Sequence, residues 1–121
     1  MNKQSFFRSL TNALSGLFSF FKSERNGEIQ LTIGLLVVIA GFIFRISSME
    51  WVAALLCIAI VISLEMMNSA LEKLSDLVEP NHHPVIKAVK DISAAAVLWS
   101  AIVSVVIGAI IFIPRIIALV Q

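Results

Sequence analysis

The chain has 121 residues, of which 59% are hydrophobic and only 14% charged, with a net charge of +1. Those values exclude an ordinary soluble domain, and they exclude a strongly basic nucleic-acid binder. The apolar residues come in long blocks, the pattern of an integral membrane protein, and the single cysteine, Cys57, lies inside one block and has no intrachain partner for a disulfide.

Residues 5–22 are amphipathic. Phe6, Leu10, Ala13, Leu14, Leu17 and Phe21 share one helical face, and Arg8, Ser9, Asn12, Ser15 and Ser19 the other. No small-residue cleavage site follows, so the segment reads as a helix lying in the membrane interface rather than a signal peptide. Residues 23–28 form a polar connection carrying Glu24 and Glu28. The first span is expected over 29–46, closed by Arg45, whose long side chain can reach the membrane boundary. After a short connection over 47–50, the second span starts at Trp51, an interfacial aromatic residue, and continues to about 77 with a cytoplasmic extension. Pro80 and Pro84 bracket a break containing His82 and His83. The third span, over 85–113, includes 22 uncharged residues from Ile92 to Ile113; Ala94, Ala95, Ala96, Ala101 and Gly108 offer small surfaces for close packing, and Pro114-Arg115 is expected to end the helix.

Lys3, Arg8, Lys22 and Arg25 precede the first span, and Lys73, Lys87 and Lys90 lie between the second and third; only Arg45 and Arg115 fall on the other side. This asymmetry places the N-terminus and the connection between the second and third spans in the cytoplasm. The expected architecture is therefore all-α: one membrane domain over 1–121, with an interfacial helix and three transmembrane helices.

The second span contains the unusual chemistry. Glu65, Asn68, Ser69, Glu72 and Asp76 fall within roughly a 100° sector of one helix, a stripe roughly 16 Å long. A carboxylate at the end of an apolar run needs protein or water to face, and a divalent cation with a phosphate ligand would compensate the stripe. Glu24 and Glu72 can meet at one membrane level if the helices pack. Lys87, Lys90 and Asp91 open the third helix at that level, within reach of phosphate oxygens. Glu65 lies roughly 10 Å deeper than Glu72, the depth of a lipid hydroxyl, where it suits a general base. Plainer readings stay open: Glu24 and Glu28 as solvated acids, Glu72, Lys73 and Asp76 as part of a wet surface helix, Lys87 and Lys90 as orienting charges, His82 and His83 as loop residues, and Glu65 as a protonated interhelical hydrogen-bonding group. The chain has no Gly-rich Walker loop, no protein-kinase catalytic loop and no dinucleotide fingerprint, so a nucleotide site would have to be assembled from helices.

Glu65-Met-Met-Asn68-Ser69-Ala70-Leu-Glu72-Lys-Leu-Ser-Asp76, with Lys90-Asp91-Ile-Ser-Ala-Ala-Ala-Val97-Leu98, Glu24-Arg-Asn and the closing Ile111-Phe-Ile-Pro114, resembles the small bacterial diacylglycerol kinases, a family that includes undecaprenol kinases. The resemblance runs from about residue 9 to 116. It implies a homotrimer in the bacterial inner or plasma membrane, with active sites shared between neighbours. It also implies ATP as co-substrate, Mg2+, and transfer of the γ-phosphate to a lipid alcohol, diacylglycerol or undecaprenol, with a lean toward undecaprenol. On the matching positions it implies Glu65 as general base and Glu24 and Glu72 as metal ligands that also bind nucleotide. His83, Lys90 and Asp91 would bind nucleotide, with Asn68 and Asp76 in support. Gln30 departs from the family pattern, where histidine or glutamate is common, and Arg8 stands in for an arginine nearer the N-terminus. The rival reading is a small transporter or scaffold that uses Glu65 as a cation or proton site.

Overall fold

The computed structural model describes residues 3–121, with side chains described from Ser5 onward; the side chain of Lys3, one of the orienting charges, lies outside the described residues. Four helices follow one another: α1 (Lys3–Ser23), α2 (Arg25–Ile43), α3 (Ser48–Val78) and α4 (Pro84–Val120). The last three are long and apolar enough to cross a membrane. No large side chain is fully buried among the described residues, and leucines, isoleucines, valines and phenylalanines remain widely exposed on all four helices. In water such a surface would aggregate; in a bilayer it is the expected lipid-facing or subunit-facing exterior.

The junction between α1 and α2 is shorter than the polar connection expected over 23–28. Only Glu24 separates the helices, in an extended conformation (φ −101°, ψ 118°). Its N–H closes α1 on the Phe20 carbonyl at 2.9 Å, and its own carbonyl accepts the first bond of α2, from Glu28 N–H at 3.2 Å. A tertiary contact makes so short a joint possible. Phe20 is buried on α2, and a Cβ at Gly27 would lie 2.7 Å from its ring. Phe20 lies off the apolar face read from α1, whose Phe6, Leu10, Leu14 and Leu17 stay exposed.

Gly27, Gly34 and Gly41 recur every seven residues and are the buried residues of α2. Gly34 lies against Ile58, and a Cβ at Gly41 would stand 2.7 Å from the Trp51 ring. Seven residues are close to two helical turns, so the glycines form one seam along which α2 approaches its neighbours. Gly108, by contrast, faces open space, so the close approach expected at that position of α4 is not made there. Gly41→Val should destabilise the fold by about 1–3 kcal/mol through overpacking against a rigid indole, read as an earlier midpoint in detergent unfolding.

Arg45 follows the C-cap of α2 with φ 51°. Ile46 N–H reaches the Gly41 carbonyl at 3.2 Å and Arg45 N–H the Phe42 carbonyl at 3.4 Å, the Schellman pattern, here with arginine where glycine is usual. Ser47 then caps α3 in a reciprocal box with Glu50.

Ion pairs tie α3 to α4 at both ends. Asp76 pairs with Lys90 at one end. At the other, Arg115 grips Glu50 with both guanidinium nitrogens, at 2.6 and 2.7 Å. The same side chain explains why α4 runs past Pro114 to Val120 instead of ending there. Proline interrupts one backbone bond, but Arg115 donates to the Ile111 carbonyl at 3.1 Å as well as to Glu50, bracing the turn. Arg115→Ala should lower the unfolding midpoint in detergent, and the doubly exchanged Glu50→Arg, Arg115→Glu protein should recover part of that loss in the same measurement.

Candidate active site

The carboxylate stripe grades from buried to exposed along α3. Glu65 is 7% exposed and Asn68 8%, whereas Glu72 and Asp76 are open to solvent. Glu24 is brought to this face by the one-residue joint, and its charge and that of Glu72 both act on Glu65. Glu65, at the end of the apolar stretch of α3, is therefore within electrostatic reach of two further acids, Glu72 on the same helix and Glu24 at the joint before α2. Like charges so placed repel, which makes the location attractive to a cation.

The acids also have protein partners. Lys73 Nζ lies 3.1 Å from Glu24 Oε1. The hydrogen bond from Lys73, followed by one from Ser69, holds the Glu24 carboxyl below the usual carboxylate range, so Glu24 is ionised at neutral pH. Asn68 Nδ2 donates to Glu72 Oε1 at 3.4 Å. Asn68 Oδ1 is buried and has no partner; an orphan acceptor of this kind costs about 1–3 kcal/mol.

Other expected site residues are held differently. Lys90 is engaged by Asp76, joining α4 to the stripe. Asp91 is paired with Lys87 at 2.5 Å on the exposed side of α4. His83 caps α4, its Nδ1 accepting from Val85 N–H at 3.1 Å, with Pro84 in the first helical position. The sequence reading missed Ser69 and Lys73 as partners of Glu24. The only signal for them was the antiparallel pairing of α2 with α3, which puts residues 24, 69 and 73 at one level.

Among the described residues no group of three or more His, Cys, Asp or Glu side chains is arranged to hold a metal ion alone. Magnesium does not require one, since it usually takes one or two carboxylates and completes its shell with phosphate and water. Glu24 and Glu72 are both hard oxygen donors of the kind that ion takes.

On the same face of α3, beginning one turn beyond Glu65, an apolar groove of about 260 Å³ runs between α2, α3 and α4. Gln30 and Ile62 border it, with Ala54, Val61, Gly108 and Ile111 among its other lining residues.

Residues 11–112, most of the chain, match the family described as prokaryotic diacylglycerol kinase. The chain belongs to the prokaryotic diacylglycerol kinase family. It is 38% identical over 110 residues to the undecaprenol kinase of Bacillus subtilis, an alignment covering 91% of this chain and 89% of that one. It is 31% identical over 112 residues to the diacylglycerol kinase of Synechocystis sp., covering 92% of this chain but 64% of the longer relative. Both similarities extend across the four helices of this diacylglycerol kinase family member, including the carboxylate stripe and its partners.

Proposed function

We propose that this chain, a lipid kinase by its family, transfers the γ-phosphate of ATP to the hydroxyl of a membrane lipid with the help of Mg2+. The acceptor is diacylglycerol, giving phosphatidic acid, or undecaprenol, giving undecaprenyl phosphate. Similarity along nearly the whole length of the undecaprenol kinase favours the second. The observation that carries the reading is Glu65: a buried carboxylate at the end of an apolar helical stretch, within electrostatic reach of Glu24 and Glu72. A transporter using Glu65 alone has no need of that convergence, and the family does not favour it.

In this reading Glu24 and Glu72 hold the metal, which when bound neutralises phosphate charge. Lys90 and Asp91 hold the nucleotide, with His83 beside it; Asp76 sets the position of Lys90, and Asn68 that of Glu72. The lipid hydroxyl enters at the depth of Glu65, its hydrocarbon chain in the apolar groove beyond Gln30. Glu65 takes the hydroxyl proton as the alcohol oxygen bonds to the γ-phosphorus and the bond to ADP breaks. The exposed apolar face of α1 supports an interfacial position for that helix. The charge asymmetry supports a cytoplasmic N-terminus in a bacterial inner or plasma membrane. The wide unburied apolar surface supports assembly into a homotrimer with shared sites.

The test is phosphorylation in detergent micelles with labelled ATP, diacylglycerol and undecaprenol offered separately, and Glu65→Gln as control. Labelled lipid from the unaltered protein alone supports the kinase and names its acceptor. No labelled lipid from folded protein with Mg2+ present overturns it, and cation or proton flux becomes the next measurement.

A further inference from the structure

The ion pairs at the two ends of the bundle differ. Toward Glu72, the side chains of Lys73, Asp76, Lys87 and Asp91 are 62–69% exposed. At the other end Arg115 and Glu50 are only 29% and 25% exposed. Their polar atoms are also better supplied. The Glu50 carboxylate accepts from two Arg115 nitrogens and from Ser47 N–H, at 2.6–2.9 Å, and Arg115 donates besides to the Ile111 carbonyl. An ion pair so occupied is the kind that persists away from water.

Helix lengths give its depth. Glu65 ends the apolar run of α3 and lies fifteen residues from Glu50, about 22 Å along the axis. A hydrocarbon core is about 30 Å thick, so with Glu65 at one boundary Glu50 and Arg115 stop about 8 Å short of the other, and any tilt puts them deeper. The uncharged run of α2, residues 29–44, is similarly short, at about 24 Å. Beyond Arg115, α4 carries Ile116, Ile117, Ala118, Leu119 and Val120, all apolar and all exposed. These five residues rise about 8 Å, which is the missing depth. Ile117 and Val120 also continue, at helical spacing, the exposed apolar stripe of Val106, Ile110 and Ile113. Neither marker of a boundary at Glu50 stands against this. The Trp51 ring packs on Gly41 and Phe42, and Arg45, which forms no ion pair among the described residues, can extend to the headgroups. We propose that Glu50 and Arg115 form an intramembrane ion pair, and that residues 116–120 are a lipid-binding segment embedded among the acyl chains of the leaflet opposite Glu65. The placement holds whatever the reaction near Glu65.

The experiment uses the full chain, with Cys57→Ala to remove the native thiol, in dioleoylphosphatidylcholine vesicles. Leu119→Cys, Met49→Cys, Ile110→Cys and His82→Cys are each labelled with a nitroxide. Electron paramagnetic resonance then compares collisions with oxygen, which concentrates in hydrocarbon, and with a water-soluble nickel chelate. Ile110 on the apolar stripe of α4 and His82 in the exposed turn before it supply the membrane and aqueous references. Leu119 reports on the terminal segment, and Met49, adjacent to Glu50, on the level of the ion pair. Both side chains are exposed, and both labels should favour oxygen over the chelate as Ile110 does. A preference for the chelate at either position, matching His82, would overturn the proposal. It would place the pair at the interface or the terminal segment in water. Should one labelled variant fail to fold, the other still decides, by the same comparison.

Discussion

Glu65→Gln is expected to lower the rate of lipid phosphorylation by about 10²–10⁴-fold, the range associated with loss of a positioned general base. The substitution is nearly isosteric, so packing around this 7%-exposed side chain is kept. What is lost is an oxygen able to take a proton, and with it the group on which the charges of Glu24 and Glu72 both act. The protein should therefore be at least as stable as the original in detergent unfolding while its turnover falls. Since Glu65 is not placed among the metal ligands, the binding of Mn2+, a spectroscopic substitute for Mg2+, should change far less than turnover. Rate, unfolding midpoint and Mn2+ affinity measured on one preparation separate these effects. More than a tenth of the original rate in folded Glu65→Gln protein would remove the residue from its proposed role.

The second large effect is expected at the metal. Glu72→Gln should raise the Mg2+ concentration needed for half-maximal activity by about 10–100-fold. It removes a charged oxygen and also loosens the Asn68 amide that Glu72 orients. A change of the opposite sign is expected nearby. Lys73 already supplies Glu24 with a cation, at 3.1 Å, and the metal has to displace it. Lys73→Ala should lower the Mg2+ requirement, by only about two- to fivefold because the lysine is 69% exposed and its pairing is screened by water. Activity titrated against Mg2+ in the two variants gives both shifts. If they move in the same direction, Lys73 does not compete with the metal for Glu24.

Much of this architecture is carried by local pattern. Three uncharged blocks fix the spanning helices because a bilayer tolerates little else, and the spacing of Glu65, Asn68, Glu72 and Asp76 fixes their common face because helical geometry does. What local pattern does not carry is the meeting of distant segments. The connection at 23–28 looked polar and loose, yet Phe20 packing on Gly27 reduces it to one residue. Pro114 looked like a stop, yet Glu50, sixty-five positions earlier, holds Arg115 and the helix continues. Lys73 looked like a surface charge because its partner lies on another helix. The seven-residue spacing of the glycines at 27, 34 and 41 was not read from the sequence, and three small residues say nothing by themselves about which rings and methyls will fill the hollows. For the site residues, the stripe on α3 follows from the sequence, and the partners that orient it do not.

The one-residue elbow at Glu24 has a mechanical consequence. Two rigid rods joined with no slack cannot change their mutual angle without rotating the residue between them, and here that residue bears the carboxylate proposed to hold the metal. With Phe20 wedged against Gly27 just beside it, a rise, fall or tilt of α1 is passed on to Glu24 undamped. If α1 rests among the lipid headgroups, lateral pressure in that layer acts as a load on the catalytic centre.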